Sequence, residues 1–360
     1  MSIVITNNQY YSNIAGAIRS KYGNNSTYYP SQMAQTILNI PIDDWEYAND
    51  YIERKISTIF DTTSTAIWYG KYAYCSNITS VSNSYCLSIY SFAFYGCDNL
   101  SSVNFPACSI IGQSAFQNCS SLTSISFPEC TNIYGYAFWG CTSLTSVNFQ
   151  SCKSIGYSAF RSCTALTSVS FPVCSYVNTG AFCDCTALTS VNLPSCTRIG
   201  ANAFLNCTAL TSVNFSVCTS IETYAFYRCS ALTTINLPVC SIVGGYAFSD
   251  CTALTSVSLP ACTSIGTYAF QNCTALSTLS LPACLNISAY TFSNCKSLMS
   301  LYLTGSTMCS LSNFNAFWAT PISKSTFTGA FGSIYVPTSL LASYKAATNW
   351  KTYSSRFVGI

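Results

Sequence analysis

"CTALTSVNLPSC", residues 185–196, begins and ends on cysteine, with the two thiols eleven residues apart. The spacing runs without a slip from Cys75 to Cys295. It takes in 21 of the 23 cysteines and leaves out only Cys183 and Cys309. Working outward, the cysteines mark the halves of a 22-residue unit. Ten successive units start at Cys75, Cys97, Cys119, Cys141, Cys163, Cys185, Cys207, Cys229, Cys251 and Cys273. Their shared pattern is C-T-A-L-T-S-V-N-L-P-x-C-T-S-I-G-x-x-A-F-x-N. A worn copy precedes them at 53–74, with Ile56, Ile59 and Ile67 in phase. A broken copy follows from Cys295, with Leu298, Leu301 and Leu303.

"LTSVNL" reads as a short strand, with Val and the following Leu or Phe inward and Ser and Asn outward. The Pro after it cannot donate to a ladder and stops it. "SIGxxAF" turns back, with Ile and Phe inward, and predicts an irregular or short helical return. Fixing 22 backbone residues costs more than one coil's apolar side chains recover. A coil therefore needs neighbours on both faces. The chain passes through the same interior twice per coil, and free cysteine is a small side chain that buries well. Equivalent thiols in adjacent coils come within disulfide reach. The grid holds an odd number of them, however, each with two equal neighbours, and free thiols are expected. No CxxC pair and no histidine supports a metal site.

The pattern L-x-x-V-x-L-x-x-C-x-x-I lies close to the leucine-rich-repeat template, whose period is 20–29 residues. "LPSCTRIGANAFLNC" (193–207) and "LPACTSIGTYAFQNC" (259–273) carry the "LP" after the strand, the "IGxxAF" return and the closing Cys. On these residues the chain resembles the BspA-type leucine-rich repeats of bacterial surface and phage proteins over roughly 53–336. The second cysteine, Cys196 or Cys262, departs from that family, where Leu is more usual. The expected fold is a repeat solenoid of about eleven 22-residue coils, with short parallel strands, spanning 51–336. A small helical segment at 1–50 would act as tether or cap, and a strand–helix cap would close the chain, its helix at 337–360.

At the start, residues 9–22 place Tyr10, Ile14, Ala17 or Ile18, and Tyr22 on one helical face, and Pro30 and Ser31 open a second helix with Met33, Ile37 and Leu38 inward. Residues 5–37 resemble a segment that opens tail-associated proteins of phages of Gram-positive bacteria. Residues 332–360 resemble the closing segment of the same repeat proteins. "SIYV" reads as an edge strand before a helix from about Thr338. The polar face of that cap, with Lys345, Lys351 and Arg356, suits a solenoid end.

Charged residues are 7% of the 360, with a formal net charge of +3. That gives no electrostatic footprint for nucleic acid. The absence of histidine removes the commonest general base. No Ser-His-Asp set, carboxylate pair or phosphate loop appears, so no enzyme activity and no cofactor are expected. No apolar run reaches the length of a membrane span, and the start carries no signal-peptide pattern. The expectation is synthesis in a reducing cytosol, without membrane insertion.

Three surfaces are candidates for binding. The first is the outward strand face, from Ser124/Ser126 through Ser146/Asn148 to Ser256/Ser258. It is neutral and hydroxyl-rich and fits a glycan, a strand-rich surface or ice, although any solvated sheet face needs small polar residues. The second is a tyrosine row, Tyr224, Tyr246, Tyr268 and Tyr290, which offers sugar or protein a platform or simply covers the next coil. The third is a group of aromatics that break the consensus: Phe92, Tyr95, Tyr134, Tyr136, Trp139 and Tyr157. The insertion at 305–327, with Phe314, Phe317 and Trp318, either binds or closes the core. Together these features predict a non-enzymatic recognition protein. The first expectation is a phage tail-associated receptor-binding module that contacts a bacterial surface glycan or protein and meets the tail or baseplate through residues 1–50. A bacterial adhesin and an intracellular protein-binding scaffold or inhibitor are the alternatives.

Overall fold

The computed structural model describes residues 3–4, 58–60, 64–323 and 330–360. Within each coil, Val, Ile or Leu of a three-residue strand points inward between two outward polar residues. Ser168–Ser170 is typical, with Val169 buried and both serines exposed. The Pro-containing turn that follows leads to a second, two-residue strand such as Tyr176–Val177. The strands pair in parallel with their equivalents 22 residues away, for example Val169 with Val191 and Val177 with Ile199. The two-residue strands form one sheet of twelve, from Ala66–Ile67 to Ser310–Leu311. Among the described residues, the strands of the three-residue ladder number thirteen from Thr58–Phe60 to Ser333–Val336, the last being four residues long. The stack is therefore about thirteen coils rather than about eleven, because the worn first copy, the broken last copy and the closing segment all keep enough apolar spacing to join the ladder.

Among the described residues the returns up to Asn294 contain no helix, and only the last, in the insertion, forms a 3-10 turn at Phe314–Phe317. In the others the amides alternate between two partners. Tyr224, Phe226 and Arg228 donate to Gly245, Ala247 and Ser249 of the next coil, at 2.9, 2.8 and 2.9 Å. Ala225, Tyr227 and Cys229 donate back to Glu222, Tyr224 and Phe226 of their own coil. This alternation needs two left-handed residues per coil. From Gly70 to Tyr290, one residue in every 22 has φ between 50 and 65°. A second series four residues on, from Tyr74 to Asn294, is left-handed too, with φ between 59 and 74°. The backbone thus bonds to its neighbour along the return too, which a helix, bonded to itself, could not do.

Stacked phenylalanines fill the interior. Phe94, Phe116 and Phe138 lie 5.0 and 5.3 Å apart, with planes within 9° of parallel. The row continues to Phe292, which meets Phe317 at 5.4 Å. Phe317 stands in the insertion and closes the core, while Phe314 and Trp318 beside it are exposed. All 23 cysteines are free thiols and all but Cys75 are buried. All but Cys183 form two columns. In the first, the thiol donates to a carbonyl of the preceding coil, as from Cys185 to Phe160 at 3.1 Å. In the second, it donates two residues ahead, as from Cys196 to Arg198 at 3.2 Å.

Both ends of the three-residue ladder are covered by the chain's own termini. Ile3–Val4 pairs in parallel with Ile59 and Phe60. The helices read at 9–22 and 30–38 lie outside the described residues. At the other end, Ser333–Val336 is not the edge: Phe357–Gly359 pairs outside it. The cap is also not one helix. It runs as a 3-10 turn at Thr338–Leu340, an α-helix at Leu341–Ala346, a 3-10 segment at Trp350–Arg356 and that final strand. Asn349, at φ 65°, breaks the helix and swings Trp350 under the last coil.

Candidate recognition surface

The solenoid gives each candidate residue a column, shared with residues 22 positions away. Phe92 and Tyr136 stand in the same left-handed column as Tyr224, Tyr246, Tyr268 and Tyr290. The second and third candidate surfaces are therefore two runs along one edge. Ser114, Ser158, Gly180 and Asn202 occupy the coils between them.

The four tyrosines are half-buried and stacked, with ring centroids 4.6, 4.7 and 4.9 Å apart. Their faces cover one another, so they present edges and hydroxyls rather than open planes. The Tyr290 hydroxyl accepts from Asn315 Nδ2 at 3.0 Å. The inner rings, Tyr246 and Tyr268, have both faces taken by their neighbours, and the row forms an outer counterpart of the phenylalanine core.

The third group divides. Phe92 and Tyr95 touch at 5.7 Å and extend to Tyr69 and Tyr74 at 5.4 and 5.2 Å. Two coils on, Tyr136 packs on Trp139 at 5.3 Å and edge-on to Tyr157 at 4.6 Å. The Tyr157 ring lies over Gly135, where a Cβ would come within 2.5 Å of it. The Arg161 guanidinium sits 5.9 Å from the Trp139 ring. Tyr134 has no ring contact among the described residues and is 52% exposed. Sequence reading missed a neighbouring group: Trp68, Tyr69, Tyr85 and Tyr90 are exposed, and Trp68 stacks on Tyr90 at 5.1 Å. The signal was present, since these aromatics also break the consensus, but they lie in the worn first coils where the repeat is hardest to phase.

The strand face is less available than its composition suggests. Asn148 and Asn192 donate to Ser126 and Ser170 of the preceding coils, at 3.1 and 3.2 Å. The bordering threonines do likewise, as from Thr189 to the Thr167 carbonyl at 2.9 Å. Part of the hydroxyl and amide capacity is thus spent between coils. The charges are spent too. Of the nine charged residues between Cys97 and Asn294, six form the pairs Arg161–Asp184, Arg198–Glu222 and Arg228–Asp250. Each pair joins adjacent coils. No helix of the described residues is long and apolar enough to cross a membrane.

A stack of 22-residue parallel coils with an apolar ladder inside and variable side chains on its edges is a leucine-rich-repeat recognition scaffold. The family model for the BspA type leucine rich repeat region matches in six copies, over 65–185, 153–242 and 219–336. The chain belongs to that family. Among solved structures, a leucine-rich repeat protein from Bacteroides ovatus is similar at TM-score 0.50 and 21% identity, over 82% of this chain and 87% of that one. A leucine rich cell surface protein from Faecalibacterium prausnitzii is similar at 0.42 and 23%, over 85% and 87%. An internalin from Listeria monocytogenes is similar at 0.36 and 14%, over 86% and 94%. No curated protein matches the chain.

Proposed function

We propose that the chain is a non-enzymatic recognition module, carried on a phage tail, that adheres to the surface of a bacterial cell. The observation that carries the adhesive part is the clustering of exposed rings in the first coils. Trp68, Tyr69, Tyr74, Tyr85, Tyr90, Tyr134 and Tyr157 are all exposed. From there to the last coils the exposed large side chains are aliphatic, until Phe314, Trp318 and Phe331. Concentrated rings on a scaffold with few unpaired charges suit contact with a weakly charged surface. The tail assignment rests on the resemblance of residues 5–37 to tail-associated proteins and of 332–360 to the closing segment of the same repeat family.

Two measurements test it. Fluorescently labelled full-length protein should bind selected strains in a panel of intact Gram-positive cells. Changing Tyr134, Tyr136 and Trp139 together to Ala should weaken that binding while leaving the circular dichroism spectrum unchanged. The protein should also be found in purified particles of a phage that encodes it. Absence from the particles removes the tail assignment. Absence of binding to every strain removes the adhesive one and favours an intracellular partner.

A further inference from the structure

On a solenoid, an outward ring is covered or left open by whatever stands 22 residues before and after it. Trp68, Tyr90 and Tyr134 occupy one column, directly after the two-residue strands Ala66–Ile67, Ser88–Ile89 and Asn132–Ile133. The next members of that column are glycines. Gly112 stands between Tyr90 and Tyr134, and Gly156 follows Tyr134. The backbone imposes the first gap: a Cβ at Gly112 would lie 2.6 Å from the Ser91 nitrogen and 2.7 Å from the Tyr90 carbonyl carbon. Gly156 is equally close-set against Tyr134 and Gly135. Tyr134 therefore has no column neighbour with a side chain on either side, and Tyr90 has one, Trp68. This is the reverse of the Tyr224–Tyr290 row, where each inner ring has both faces taken. Trp68 and Tyr90 are 58% and 45% exposed, with planes 8° from parallel.

Open aromatic faces recognise either cations or the C–H faces of saturated rings. The surroundings favour a neutral ligand: residues 64–160 carry Lys71, Lys153, Asp98 and Glu129, which sum to zero charge. Hydroxyls and amides dominate the rest of these coils, and they are the groups that hydrogen-bond sugar hydroxyls.

From this arrangement we infer that Trp68, Tyr90 and Tyr134 form a stacking track for the hexopyranose rings of a neutral surface polysaccharide. The inference rests on the adhesive reading above and specifies its ligand. It is tested with full-length protein on a strain that binds it, after mild periodate oxidation of the cells or after protease treatment. Periodate should abolish binding and protease should leave it intact. Trp68→Ala and Tyr134→Ala should each weaken binding about tenfold or more, as for a stacked aromatic anchor, whereas Tyr134→Phe, which keeps the ring, should bind as the parent does. Binding lost to protease but not to periodate identifies a protein receptor and overturns the glycan assignment while adhesion stands. Unchanged binding by the folded Trp68→Ala and Tyr134→Ala double variant overturns the track. Binding to no strain at all overturns the adhesive reading and this inference with it.

Discussion

At the scale of the residue, the thiol does more than fill a small space. Cys185 Sγ donates to the Phe160 carbonyl at 3.1 Å, and the same carbonyl already accepts from the Cys163 amide. The thiol thus occupies a second lone pair that burial would otherwise leave empty. Cys185→Ala should destabilise the fold by about 1–2 kcal/mol, from the lost weak hydrogen bond and a small void, read as a shift in the urea midpoint. Burial pushes Cys141 and Cys152 up to about 12. Such thiols are inert while the coil is closed, because the thiolate is the nucleophile. Fewer than a handful of the 23 should react with iodoacetamide at pH 8 in native buffer, and all should react in denaturant, as counted by intact mass.

At the scale of the element, the return shows how stacking and strain offset each other. Tyr246 sits at φ 56°, costly for a bulky residue by roughly 1–2 kcal/mol. Its two ring contacts, at 4.6 and 4.7 Å, are worth about 0.5–1.5 kcal/mol each beyond the buried area. Tyr246→Ala keeps the strain and loses both stacks, whereas Tyr246→Gly loses the stacks and relieves the strain. The order of thermal midpoints should be parent, then Gly, then Ala; Ala above Gly would show that strain matters little here. The cap is governed by Trp350, whose Nε1 donates to the Cys309 carbonyl at 2.8 Å beneath the last coil. Trp350→Ala should cost about 3–5 kcal/mol. In a nearest-neighbour stack that loss falls on the terminal coils first. Hydrogen exchange should therefore rise around Ser300–Tyr302 and Ser310–Leu311 before it rises in the middle coils.

At the scale of the whole molecule, the repeated thiols set an alkaline limit. Burial raises the pKa of most of them in the folded state, to about 12 for Cys141 and Cys152, while the contact with Cys309 lowers that of Cys284; an unfolded thiol titrates near 8.5. Above that pH the unfolded chain sheds protons that the native one keeps, so stability falls as pH rises. The contribution is fully present below about pH 8.5 and is lost toward pH 12, at up to about 1.4 kcal/mol per pH unit for each thiol. With most of the buried thiols raised in this way, the urea midpoint measured in reductant should drop steeply between pH 8.5 and 10. A flat profile would mean that the interior tolerates thiolates.

The sequence by itself determined the coil. The 22-residue period, the inward Val, Leu, Ile and Phe, and the Pro stop are local patterns, and each repeats often enough to be read against its neighbours. It also located the aromatic edge through Tyr134, Tyr136 and Trp139. Only the tertiary structure decided which rings are open. Tyr268 and Tyr134 fall in different columns of the repeat, and the structure shows that Tyr268 is stacked between Tyr246 and Tyr290 while Tyr134 stands 52% exposed without a ring contact among the described residues. Whether a face is covered depends on side chains one turn of the solenoid away and on how closely the backbones approach. The left-handed pairs in the return and the reach of Phe357–Gly359 to the sheet edge are likewise hydrogen bonds between coils or between distant segments. No local propensity encodes them; they arise when the stack forms.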